Sequence, residues 1–200
     1  MYKLHNIFPT PILHFTFSKH KEYFFEDIQK SERVPPGWNC SINSSYPCIT
    51  KNDLFINKKK VESLKKDLLL EIKELFKSSN IPSNISFNGD LWYNIYHKNQ
   101  NQERHNHLNT HNGRNFWSGI YYNKNSSPTT FYPLSLMHRT SRFDGYENSI
   151  VKDSFYDYVN IDVKDGDVIL FPPYLEHEVI LNKNFSDEMR VTFSFNIIMK

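Results

Sequence analysis

Two hundred residues, 38% hydrophobic and 16% aromatic, suffice for one folded domain (1–200) with a core of its own and exclude a disordered chain. A formal charge of +2, with acids and bases mixed along the chain, provides no basic stripe for duplex nucleic acid. Cys40 and Cys48 form neither a disulfide framework nor a CxxC pair, and no segment has the roughly 18 apolar residues of a transmembrane span, so a cytoplasmic protein with no membrane partner is expected.

Residues 4–17 read as a leading strand broken by Pro9 and Pro11, with 12–17 as its extended part. A short helix is predicted over 19–31, with Tyr23, Phe24 and Ile28 as its apolar contacts, ended by Pro35-Pro36-Gly37. The stretch 37–57 is rich in Asn and Ser and reads as a long loop. The clearest helix is 58–78: Val61, Leu64, Leu68, Leu69, Ile72, Leu75 and Phe76 recur at three- and four-residue steps, and Asn57 suits its N-cap. It is expected to pack on a sheet and to do no chemistry.

After Pro82 the pattern turns to strands, predicted at 91–96, 116–122, 129–132, 158–161, 167–171, 175–181 and 190–199. Residues 97–104 read as a polar turn, and 134–156 as an irregular insert carrying His138, Arg139, Arg142, Tyr146 and Tyr156 at the rim of the entrance. Short strands separated by turn signals predict a mainly β fold, a sandwich or barrel, with flanking helices outside it: 1–84 as the N-terminal strand and supporting helices, 85–198 as the β core.

The chemistry-bearing residues cluster around Glu103-Arg104-His105-Asn106-His107. In an extended segment His105 and His107, two residues apart, leave the same face, and His177 offers a third imidazole from a distant strand. Three imidazoles can hold one divalent metal, and iron and zinc both fit. Arg190 follows His177 by thirteen residues, close enough for a returning strand to place its forked donors beside the metal as a clamp for an oxo-acid carboxylate. On that last strand Val191, Phe193, Phe195 and Ile197 share one side, while Arg190, Thr192, Ser194 and Asn196 share the other; the polar side faces either solvent or a pocket. Trp92, Asn94 and Tyr96 share a face in the same way, with Asn94 and Tyr96 suited to donate to a metal-chelating oxo-acid. His97 and His111 read as ordinary loop residues.

Asn94-Ile95-Tyr96, His105-Asn106-His107, Ser118-Gly119-Ile120-Tyr121-Tyr122, Gly166-Asp167-Val168-Ile169-Leu170-Phe171-Pro172, His177 and the run from Arg190 to Asn196 occur in an order that resembles the Fe(II)- and 2-oxoglutarate-dependent oxygenases, particularly short members common in marine bacteria and phages. The likeness spans about residues 85–198. It implies a double-stranded β-helix (a cupin-like jelly roll), His105 and His177 as iron ligands, and Arg190 on the distal carboxylate of 2-oxoglutarate. It also places Asn94 and Tyr96 at cosubstrate-contacting positions, and Asn196 where the nucleic-acid-demethylating branch has a second arginine. The implied cofactors are Fe(II), 2-oxoglutarate and O2.

The sequence departs from the common His-x-Asp/Glu pattern at His107. His107 is expected as the third ligand; the alternatives are coordination by Glu103 or a two-histidine site. The expected activity is hydroxylation of a small-molecule or peptidyl substrate, with release of succinate and CO2. Competing readings are a non-catalytic cupin-like module binding metal or a small anion, a three-histidine dioxygenase not using 2-oxoglutarate, and a zinc hydrolase with Glu176 or Glu178 as base. A homodimer is compatible with all of them.

Overall fold

The computed structural model describes residues 10–25, 40, 42–46, 58–89, 91–108, 115–133, 158–180 and 189–200. Among these residues the strands form two antiparallel sheets. The larger contains β1 (Leu13–Thr16), β2 (Asn43–Ser44), β3 (Ile85–Phe87), β4 (Trp92–Tyr96), β6 (Trp117–Lys124), β9 (Asp167–Phe171) and β11 (Arg190–Met199), in the order β1-β9-β6-β11-β4-β2, with β3 also paired to β11. The smaller has the order β5-β10-β7-β8, formed by β5 (Gln102–His105), β10 (His177–Val179), β7 (Thr130–Phe131) and β8 (Val159–Asn160). From β4 onward successive strands alternate between the two sheets, apart from β7 and β8, which pair within the small one, as in a double-stranded β-helix.

The large sheet is buried on both faces, so its strands read as continuous apolar-aromatic runs. Val191, Phe193, Phe195 and Ile197 of β11, Tyr93 and Ile95 of β4, and Val168 and Leu170 of β9 form one core with the helix α1 (Lys58–Ser78). That helix contributes Val61, Leu64, Leu68, Ile72 and Phe76, all 4% exposed or less, each adding about 1.5–3 kcal/mol of burial. It ends in a left-handed residue, Asn80 at φ 56°, with the Ile81 amide returning to the Phe76 carbonyl at 2.8 Å, which satisfies carbonyls the helix leaves open. The opposite face of the sheet is apolar at β6 and β9, where Ile120, Tyr122, Ile169 and Phe171 meet Phe131 and Leu175 of the small-sheet side. At β4 and β11 that same face is polar. The seam between the sheets is therefore plugged at one side and lined with hydrogen-bonding groups at the other.

Three local expectations are corrected. The described part of 19–31 contains a single 3-10 turn, His20–Tyr23, and Phe24 is already extended. Tyr23 and Phe25 are both buried, an alternation that suits extended chain, while Ser18 and Lys19 are tied to Glu71 and Asp67 of α1. Within the expected loop 37–57, Asn43–Ser44 pairs with β4. The polar turn is shorter than 97–104, because Gln102–His105 is a strand. Asn57, Ile28, His111, Cys48 and the 134–156 insert lie outside the described residues. Among the described residues no helix is long and apolar enough to cross a membrane.

Candidate active site

Strand β5 is the edge of the small sheet, and its pairing with β10 carries a bulge. His105 stands opposite His177, but Gln102 stands opposite Val179, so three steps on β5 match two on β10. The bulge turns both Gln102 and His105 towards the seam. The strand ends at His105, yet His107 still returns to the same place, because its backbone N–H donates to the Pro173 carbonyl at 2.8 Å. The pair that the i, i+2 spacing predicts to share a face is therefore brought together, and the second member is held by a loop contact.

His105, His107 and His177 are the group of metal-capable donors found among the described residues, with ligand atoms within 4.8 Å of one another. Ring centroids lie 4.3 Å apart for His105–His177, 5.1 Å for His107–His177 and 5.4 Å for His105–His107. The Nδ1 atoms of His105 and His177 lie 2.8 and 3.0 Å from the carbonyl oxygens of Glu103 and Leu175, and a carbonyl only accepts, so those nitrogens carry the hydrogen. His107 Nδ1 lies 2.8 Å from Asn196 Oδ1. In this tautomer the Nε2 of each ring carries no hydrogen, the form a metal requires. Burial lowers the pKa of all three: His107 is pushed down to about 4, by burial first and then by His105, and His177 is lowered well below its usual value by burial and by both neighbours. Neutral imidazoles are thus the resting state at neutral pH.

The donor group lines a cavity of about 140 Å³ that Arg190 also lines. Arg190 is 1% exposed, lies 4.7 Å over the Tyr96 ring, and spends one Nη2 hydrogen bond on the Ser127 carbonyl at 3.1 Å. Among the described residues its buried Nε and Nη1 have no hydrogen-bond partner. A desolvated guanidinium with two unused donors lacks an anion. The polar face of β11 thus lines the cavity and does not face water: Thr192 and Ser194 border it beside Arg190.

The other candidates occupy distinct places. Tyr96 borders the cavity, but its hydroxyl donates to Gln102 Oε1 at 2.6 Å, and burial pushes its pKa up, so it stays protonated. Asn94 is held at both ends, accepting from Ser44 Oγ at 2.6 Å and donating to Ser194 Oγ at 3.2 Å. Asn196 is engaged by His107 and by Ser118 Oγ at 2.8 Å. Glu103 borders the cavity but lies outside the donor group. Glu176 and Glu178 are engaged by Arg104 and the Tyr132 hydroxyl. Tyr46, Gln102 and Thr129 carried no signal in the sequence, since each looks like an ordinary loop or strand residue until the sheets close. His97 follows β4, with its N–H bonded to Gln100 Oε1.

A double-stranded β-helix that turns three imidazoles and an unpaired arginine into one cavity is the architecture of a metal- and oxo-acid-dependent oxygenase. Over residues 90–196, more than half of its length, the chain matches the model of the family described as "Putative 2OG-Fe(II) oxygenase", and it belongs to that family. The family is one of oxidoreductases that use 2-oxoglutarate and Fe(II). Among solved structures it is similar to HygX from Streptomyces hygroscopicus with nickel and 2-oxoglutarate bound (TM-score 0.58, 15% identity, 95% of this chain and 83% of that one). It is also similar to the non-heme α-ketoglutarate-dependent epimerase SnoN from nogalamycin biosynthesis (0.60, 13%, 95% and 77%). A third is a Trichoplax adhaerens prolyl hydroxylase in complex with a hypoxia-inducible-factor peptide fragment (0.56, 13%, 94% and 83%). The chain spans 60% of the length of a 2OG-Fe(II) oxygenase-family oxidoreductase from Burkholderia pseudomallei (0.50, 12%, 72% of this chain). No curated protein sequence matches it.

Proposed function

We propose that this protein is an Fe(II)- and 2-oxoglutarate-dependent dioxygenase that hydroxylates a small-molecule or peptidyl substrate. His105, His107 and His177 hold the metal, and Arg190 binds the distal carboxylate of 2-oxoglutarate. The observation that carries this reading is the pairing in one cavity of three imidazoles in the ligand tautomer with a buried arginine that has two unused donors. A dianionic oxo-acid satisfies both ends. Three neutral ligands leave the metal site one unit more positive than two imidazoles and a carboxylate would, which favours an anionic cosubstrate.

When bound, iron and 2-oxoglutarate supply the oxidising chemistry: O2, 2-oxoglutarate and a C–H bond are consumed, and succinate, CO2 and the C–OH product form. The chain's part is to position and to exclude water. Arg190 fixes the cosubstrate end, and Tyr96 and Tyr122, at 4.7 and 5.7 Å from its guanidinium, hold that fork in place. Phe131 and Phe171 pack around His177, with centroids 6.0 and 4.7 Å away, and keep its side of the metal dry.

The test is anaerobic addition of Fe(II) and 2-oxoglutarate to the metal-free protein. A weak visible charge-transfer band is expected, abolished in His177→Ala, and oxygen should then yield succinate even without prime substrate. Absence of the band at saturating iron sinks the proposal. A band without succinate formation under any substrate would favour a binding module.

A further inference from the structure

The three histidines are not anchored alike. His105 and His177 each tie Nδ1 to the backbone carbonyl two residues before, so their tautomer is set by the chain itself. His107 instead reaches a side chain 89 residues away, on the opposite sheet. Asn196 Oδ1 stands 2.8 Å from His107 Nδ1 and 2.8 Å from Ser118 Oγ, and Ser118 is the cross-strand partner of Asn196 between β6 and β11. His107, Asn196 and Ser118 are 5%, 1% and 0% exposed, so bulk water does not compete for these contacts. The position of residue 107 is secured separately: its N–H donates to the Pro173 carbonyl and its carbonyl accepts from Asn115 Nδ2. What Asn196 adds is the ring's orientation and its proton.

We propose that Asn196 is the positioning residue that makes His107 a metal donor: by accepting the Nδ1 hydrogen it leaves Nε2 without a hydrogen and aimed at the other two imidazoles. This rests on the metal-site reading above. An amide can do the reverse. If it presented its NH2 group to Nδ1, the proton would sit on Nε2 and His107 would have no lone pair for the metal. With the oxygen turned to both Ser118 and His107, the site has three nitrogen donors. A neutral amide also orients the ring without drawing its proton away as a carboxylate would, so His107 stays a neutral ligand.

The test uses the full chain, metal-free, titrated with Co(II) and followed by calorimetry and by the d–d bands, neither of which depends on turnover. Asn196→Leu, close in size but without an acceptor, should weaken Co(II) binding about 10–100-fold and alter the bands. Asn196→Asp can only accept, so it should bind Co(II) at least as tightly as the parent, with bands shifted by a more strongly donating imidazole. The proposal is overturned if the Leu variant keeps the parent's affinity and spectrum, or if the Asp variant loses as much affinity as the Leu variant should. Should the Leu variant not fold, the Asp result alone decides. His107→Ala separates the two levels: parent-like Co(II) affinity in that variant defeats His107 as a ligand, whatever Asn196 does.

Discussion

Arg190 is a buried cation for which the described residues provide aromatic rings and one carbonyl but no acid. Burying a charge without its partner is costly, so the cosubstrate-free protein holds a residue that destabilises it. Arg190→Met should therefore leave the apoprotein as stable as the parent or more so, while abolishing the stabilisation that 2-oxoglutarate gives. For the parent, with iron bound, ligand at 100 times its dissociation constant should add about 2.7 kcal/mol. Thermal unfolding with and without 2-oxoglutarate checks both halves. A Met variant much less stable than the parent without ligand would show instead that the arginine is structural. Arg190, His105 and His177 were legible from residue type, spacing and order along the chain. Asn196 was legible as a position on the polar face of β11, but not as the partner of His107, because that contact depends on the β6–β11 register and on the loop at Pro173.

At the scale of the element, β6 shows why strand parity alone carried so far. Gly119 lies between Leu170 of β9 and Phe195 of β11 in the pairing register. A Cβ there would come within 2.3 Å of two Phe195 ring carbons and 2.9 Å of a Leu170 methyl. Phe195 lies across the glycine and cannot withdraw, since it also packs on Phe87 with centroids 5.0 Å apart. Gly119→Ala should destabilise the fold by about 1–3 kcal/mol through overpacking, read as a lower urea midpoint at unchanged slope. It should also weaken Co(II) binding by shifting β11, which carries Arg190 and Asn196; parent-like stability would mean the two strands can part. The alternation along β11 and β4 was readable because one face is uniformly apolar. Asn43–Ser44 and Gln102–His105 were not, because Ser44 is buried on Asn94 while Gln102, Glu103 and His105 line a cavity. Polarity that marks a loop in isolation marks a site once a second sheet covers it.

Over the whole molecule, the segment from β1 to Phe25 works as a clasp between the large sheet and α1, and its fastenings are carboxylates. Asp167 of β9 accepts from Thr16 Oγ1 at 2.7 Å and from the Lys164 N–H at 3.0 Å, with His14 Nε2 at 3.0 Å. These hydrogen bonds outweigh burial and hold its pKa below the usual carboxylate value. On the other side Asp67 of α1 accepts from Lys19 Nζ at 2.9 Å and from the Tyr23 hydroxyl at 2.7 Å, and its pKa is also lowered, chiefly by those two bonds. A carboxyl whose folded pKa is depressed contributes stability above its unfolded value, about 4, and loses it as pH falls through the folded value. Acidification from pH 5 to 3 should therefore open the clasp first. Amide hydrogen exchange is expected to accelerate at 13–23 while β6 and β11 stay protected. In Asp167→Asn the β1 amides should already exchange faster at pH 7 and change little further on acidification. Asp167 belongs neither to the histidine group nor to the lining of its cavity, so Co(II) affinity of Asp167→Asn at pH 7 should match the parent. Exchange accelerating uniformly across the sheet would mean that acid acts through the core and not through this clasp.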